Sequence, residues 1–186
     1  RNNRITAERL PPEIGNLVNL QKFFVSGNTL STLPAELGRM PNLKEFDISQ
    51  NVLAVLPEEI GDLTNLQRLA IGSNKLLTLP AAIGKLVNLT SLDAKSNELS
   101  DLPPTIGKLI NCQKMDLSHN MLTEIPWEIS NCEKLTVLDL SHNPIVIPPK
   151  PILNKGTPAV LQWLKRNEKE GRKAKVLGLT IKEGAV

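Results

Sequence analysis

Two stretches of this 186-residue chain carry the side chains of a metal site or a proton relay. "KMDLSHNMLTEIP" (114–126) holds Asp116 and His119, and "VLDLSHNPIVIPP" (137–149) holds Asp139 and His142. Within either stretch the carboxylate and the imidazole are three residues apart, roughly 10 Å on an extended chain. That is too far for one metal ion or one shared proton. The two histidines alone make a poor zinc site, which wants a third protein ligand. The expectation is therefore no metal, no cofactor and no catalytic residue at either stretch, and the chain is read as no enzyme. No phosphate-binding loop or nucleophile elbow occurs elsewhere.

The duplication has a simpler cause. Leu-Pro or Ile-Pro pairs begin at Leu10, Leu33, Leu56, Leu79, Leu102 and Ile125, each 23 residues after the last. An asparagine keeps the same period at Asn28, Asn51, Asn74, Asn97, Asn120 and Asn143. Asp116 and Asp139 share one column, and His119 and His142 another. The columns read L-P-x-x-I-G-x-L-x-N-L-x-x-L-x-L-S-x-N-x-L-T-x. A fixed period of this length marks a stacked-repeat architecture, in which each unit buries its apolar face only against its neighbours. In "LKEFDIS" the apolar Phe46 and Ile48 flank Asp47, the alternation of a short strand. One such strand per repeat, always returning in the same direction, makes a parallel sheet spanning about 30 Å over six repeats. The Pro suits an extended or first-turn position of a returning segment. The Gly column (Gly15, Gly38, Gly61, Gly84, Gly107, with Ser130 as exception) is read as a turn of positive φ. The Asn column, at the strand ends, is read as a buried ladder bonding the backbone of its own and the next bend.

The columns resemble the leucine-rich repeat, whose signature is L-x-x-L-x-L-x-x-N-x-L. "LQRLAIGSNKL" (66–76) and "CQKMDLSHNML" (112–122) fit it with apolar substitutes. The resemblance implies an α/β solenoid with a parallel concave sheet and short helical or irregular convex segments. Six full repeats cover 10–146 within a repeat region of 1–153, preceded by a partial repeat at 1–9. The missing strand before Asn3 suggests that the natural protein continues upstream.

A C-terminal cap is expected at 154–171. Thr157 is read as its N-cap, Pro158 as the first helical residue and Gly171 as the stop. Val160, Leu161 and Leu164 share the inward face, with Trp163 beside it and Trp127 nearby. A basic tail follows at 172–186.

Composition narrows the function. Residues 165–186 carry seven Lys or Arg against three Glu, so the remainder is close to neutral with one excess negative charge. That excludes nucleic acid as the principal ligand of the body. The basic run is read as a solvated helix end, with contact to an anionic membrane as the weaker alternative. No apolar run is long enough to span a bilayer. Cys112 and Cys132 replace repeat leucines, so they are read as buried thiols, and the absence of cysteine-rich caps points to a reducing, cytoplasmic setting. Asn88-Leu89-Thr90 matches a glycosylation sequon only because Asn recurs in that column.

What remains is binding. The outward strand positions offer Phe24, Glu45, Asp47, Arg68, Asp93, Lys95, Lys114, Asp116 and Asp139, with His119 and His142 at the bends. The aspartate row reads either as repeat consensus or as a groove for a basic, extended partner segment. The "L-P-x-x-I-G-x-L" style is similar to the intracellular Ras-group repeats, found in Ras-pathway scaffolds, Scribble and Erbin polarity proteins, their plant relatives and Roco proteins. That resemblance implies a scaffold binding signalling proteins, small GTPases or their regulators. Two other readings stay open: a regulatory module of a Roco-type GTPase, faintly suggested by "AKVLGLT" (174–180), and a fragment of an extracellular or innate-recognition receptor.

Overall fold

The computed structural model describes residues 9–176 and contains six strands in one sheet. They are β1 (Lys22–Phe24), β2 (Glu45–Asp47), β3 (Arg68–Ala70), β4 (Ser91–Asp93), β5 (Lys114–Asp116) and β6 (Val137–Asp139). Their order is sequential and every neighbouring pair is parallel. The register keeps each column together: Phe24 faces Asp47, Asp47 faces Ala70, Asp93 faces Asp116 and Asp116 faces Asp139. The partial repeat expected at 1–9 lies outside the described residues except for Arg9, which bridges to Thr32.

Each return segment is a five-residue 3-10 turn, such as Ala81–Lys85, entered through an extended proline. The turns are too short for a helix. Ile83 N–H donates to Pro80 O at 3.0 Å, and Leu86 N–H to Ile83 O at 3.1 Å, the three-residue closures of a single tight turn. The core fills the space between sheet and turns. Leu30, Leu53, Leu76, Leu99 and Leu122, one per repeat, are wholly buried. Each such leucine contributes about 1.5–3 kcal/mol of transfer free energy, so equivalent leucines supply the cohesion and aromatics are scarcely needed.

The glycine column does not serve the purpose read from the sequence. None of its members has positive φ; among the described residues only Gly27 and Gly156 are glycines that do. The constraint is close approach instead. A Cβ on Gly84 would sit 2.5 Å from the carbonyl oxygen of Thr105, and one on Gly38 2.8 Å from that of Glu59, in the next repeat's turn. Ser130 is tolerated because the layer packed against the last turn is the C-terminal helix rather than a seventh turn. Positive φ falls instead on the column before the ladder asparagines: Gln50, Ser73, Ser96, His119 and His142.

The chain leaves the solenoid through α1 (Lys150–Leu153) and α2 (Thr157–Val176). Val160 and Leu164, one turn apart on α2, are buried against the last repeat, and the indoles of Trp127 and Trp163 stack at 5.6 Å. Thr157 is the first helical residue rather than the cap. Its buried hydroxyl accepts the Leu138 N–H at 2.9 Å, an edge donor of β6, the last strand among the described residues. Gly171 does not stop the helix, which runs on to Val176 and so takes in the start of the basic segment. The glycine is a notch: a Cβ there would clash with the six-membered ring of the Trp127 indole. Arg172 then clamps the helix to the turn, 2.7 Å from Glu128 and 2.8 Å from Glu168.

Candidate functional site: the open sheet face

The outward strand positions are organised by hydrogen bonds from below. The Asn ladder closes every bend. Asn97 Nδ2 donates to Ile71 O (3.1 Å) and Ala94 O (3.0 Å), while its Oδ1 accepts Leu76 N–H (3.0 Å). Asn51, Asn74, Asn120 and Asn143 repeat the pattern. The cross-repeat bonds run to the preceding repeat, not to the next bend as read from the sequence. The second asparagine column behaves likewise: Asn88 Nδ2, the sequon nitrogen, donates to Thr64 O at 2.9 Å.

On this frame sit the candidate binding residues. Phe24, Arg68, Lys95, Lys114, His119, Asp139 and His142 are exposed, and Glu45, Asp47, Asp93 and Asp116 half-buried. The face divides into two halves. In the first, Glu45 is held between Lys22 (2.8 Å) and Arg68 (3.8 Å), and the Lys22 hydrogen bond keeps its carboxyl below the usual range. In the second, Lys95 lies 3.4 Å from Asp93 and 4.0 Å from Asp116. His119 and His142 stack beyond them with ring centroids 4.0 Å apart.

The aspartates have a structural duty that the sequence analysis missed. Asp47 and Asp116 each accept, on Oδ1, the N–H of the serine two residues on at 3.1 Å and its hydroxyl at 2.6 Å. Asp139 Oδ1 accepts Ser141 N–H at 2.9 Å, and Asp93 Oδ1 accepts Lys95 N–H at 3.2 Å. These bonds close the turn out of the strand. The signal was there in the D-x-S spacing of "DIS" and "DLS". One oxygen of each carboxylate is therefore spent on the fold, and the second oxygens of Asp93 and Asp116 face the Lys95 ammonium. Bonds from Ser141 hold the Asp139 carboxyl below its ordinary pKa, and both imidazoles lower it further.

Chemistry other than recognition finds little to use. Among the described residues no three His, Cys, Asp or Glu side chains are grouped so as to hold a metal ion. Cys112 and Cys132 are buried, and burial pushes their thiols up to about 12 and about 11. No helix among the described residues is long and apolar enough to cross a membrane. A separate groove of about 450 Å³, lined by Ile125, Trp127, Ile147 and Arg172 among others, lies beside α2, away from the sheet face.

Comparison with known proteins places this geometry. The model of the family described as "Leucine rich repeat" matches residues 18–76 and 87–145, more than half of the chain. A curated relative, leucine-rich repeat protein lrrA of Dictyostelium discoideum, is 65% identical over 37 residues, 20% of this chain and 7% of the relative. Among solved structures, a leucine-rich repeat protein of Leptospira interrogans superposes with a TM-score of 0.74 at 37% identity, covering 78% of this chain and 37% of that one. The ectodomain of the Arabidopsis thaliana receptor kinase GASSHO1/SCHENGEN3, in complex with CASPARIAN STRIP INTEGRITY FACTOR 2, superposes with a TM-score of 0.68 at 38% identity, covering 73% and 17%. The chain thus spans well under half the length of each.

Proposed function

We propose that this chain, which belongs to the leucine-rich repeat family, binds a protein partner along its open sheet face as part of a signalling scaffold. Domains of this fold are in general protein-interaction modules rather than enzymes. The observation that carries the reading is the outward row itself. Six strands in register present charged side chains flanked by large apolar ones, Phe24 at 38% and Val137 at 48% exposure, on the face turned away from the buried core. The excess of aspartate over lysine in the second half suits an extended segment bearing basic residues.

The finer reading rests on the repeat style. The L-P-x-x-I-G-x-L columns support the intracellular Ras-group type, and with it a cytoplasmic location and a small GTPase or its regulator as partner. Two buried, unpaired cysteines accord with a reducing compartment. A Roco-type regulatory module remains the neighbouring alternative; residues 174–176 of its motif at 174–180 belong to α2, and 177–180 lie outside the described residues. One observation favours a second reading, that of a receptor fragment: the likeness to a plant ectodomain carrying a bound factor. Affinity capture with the wild-type domain and with the Asp93→Lys, Asp116→Lys variant tests the main reading. A partner retained by the first and lost by the second is expected; equal retention contradicts it.

A further inference from the structure

We infer that His142, His119 and Asp139 form a subsite for one arginine side chain of the bound partner; this rests on the sheet-face reading above. The two imidazoles lie nearly parallel, 13° apart, with centroids at 4.0 Å, and both are exposed. Their placement is imposed by the backbone. Each sits at positive φ (54° and 55°) directly before a ladder asparagine, and His119 N–H donates to Ser141 O at 2.9 Å. A rigid pair of stacked rings has two outer faces on which a further flat group can continue the stack.

The two faces differ. Toward the preceding repeats the column continues with Ser96, and the adjacent strand end carries the Lys95 ammonium between Asp93 and Asp116. A second cation there meets repulsion. Beyond His142 the sheet ends among the described residues, where β6 is the last strand. Asp139 belongs to that edge. It is exposed, one of its oxygens is bonded to Ser141, and among the described residues no lysine or arginine pairs with it. Val137, two residues earlier on the same face of β6, is 48% exposed.

These pieces match a guanidinium better than an ammonium. The guanidinium is flat and weakly hydrated, stacks on an aromatic ring and still donates N–H to a carboxylate at its edge. Its methylene stem has Val137 to cover. An ammonium satisfies only the Asp139 part of the arrangement, and a neutral urea group lacks the charge.

The test needs no knowledge of the natural partner. The labelled domain at pH 7.5 is titrated with acetyl-Gly-Arg-Gly-amide while the histidine ring resonances are followed by NMR. Matched peptides carry lysine or citrulline. The expectation is a saturable shift, larger for His142 than for His119, with a Kd on the order of millimolar, about tenfold weaker binding of lysine, and none of citrulline. His142→Ala and, separately, Val137→Ala should weaken the arginine response with the amide spectrum otherwise preserved, which separates loss of the site from loss of the fold. Unmoved histidine resonances, or equal shifts with the lysine peptide, overturn the subsite. The sheet-face reading is judged apart from this, by the charge-reversal capture, which does not involve the histidine pair.

Discussion

Asn97 Oδ1 accepts the backbone N–H of Leu76, twenty-one residues upstream, at 3.0 Å. The bond crosses a repeat boundary between two buried residues, so the solenoid is joined by side-chain amides as well as by its sheet. Replacing Asn97 with alanine strands that N–H in the core, while Ile71 O and Ala94 O each keep one amide donor, Asn74 Nδ2 and Asn120 Nδ2. An expected loss of about 1–3 kcal/mol should appear as a lower urea midpoint in equilibrium unfolding, with an unchanged outward face.

Gly171 and Trp127 give a prediction about the cap. A methyl group at 171 overlaps the indole, so Gly171→Ala should destabilise the domain even though alanine is the better helix former by roughly 1 kcal/mol. The double change Gly171→Ala, Trp127→Ala should recover part of the loss in a thermal melt. If Gly171→Ala raises the melting temperature instead, the helix does not pack as described.

The aspartate row couples binding to folding. Because Asp93 and Asp116 each close a turn through Oδ1, converting both to lysine should lower stability moderately, about 0.5–1.5 kcal/mol per lost bond. Asn substitutions keep the accepting oxygen and remove the charge. Asp93→Asn with Asp116→Asn should therefore keep most of the stability yet slow association with a basic partner, an effect that shrinks at high salt. Stopped-flow association at two ionic strengths checks this.

Acid should uncover the same bonds. The pKa of Asp139 in the folded state is lowered, chiefly by the Ser141 bonds. Its stabilisation is present above the unfolded value of about 3.9 and is lost as pH falls through the folded value. The stability gap between wild type and Asp139→Asn should narrow as pH falls below about 4, as read from denaturation midpoints.

The cysteines report on global opening. With both thiols buried and pushed up to about 12 and about 11, neither ionises at pH 8, and reaction with a disulfide reagent should await unfolding. Labelling rates of Cys112 and Cys132 that track the unfolding rate are expected. Fast labelling of the native domain would place a thiol at the surface.

The repeat unit, its strand and its ladder were legible in the sequence because period and alternation are properties of the chain. What escaped reading depends on the neighbouring layer. Glycine at 84 looked like a turn residue, but its reason is the Thr105 carbonyl 21 positions on. Thr157 looked like a helix cap, yet its hydroxyl answers a strand edge. Gly171 looked like a stop because only the fold brings Trp127 against it. The aspartates were legible as an outward row, while the turn-closing role of one oxygen each needed the bend geometry that positive φ at His119 and His142 supplies.

Where a partner touches the solenoid decides the account most directly. A photo-crosslinking residue is placed at Arg68, Lys114 or Val137 on the sheet face, and at Lys85 or Lys108 on the 3-10 turns, in otherwise intact protein exposed to the captured partner. The account predicts covalent adducts from the three sheet positions and none from the two turn positions. Adducts confined to the turn positions would contradict it.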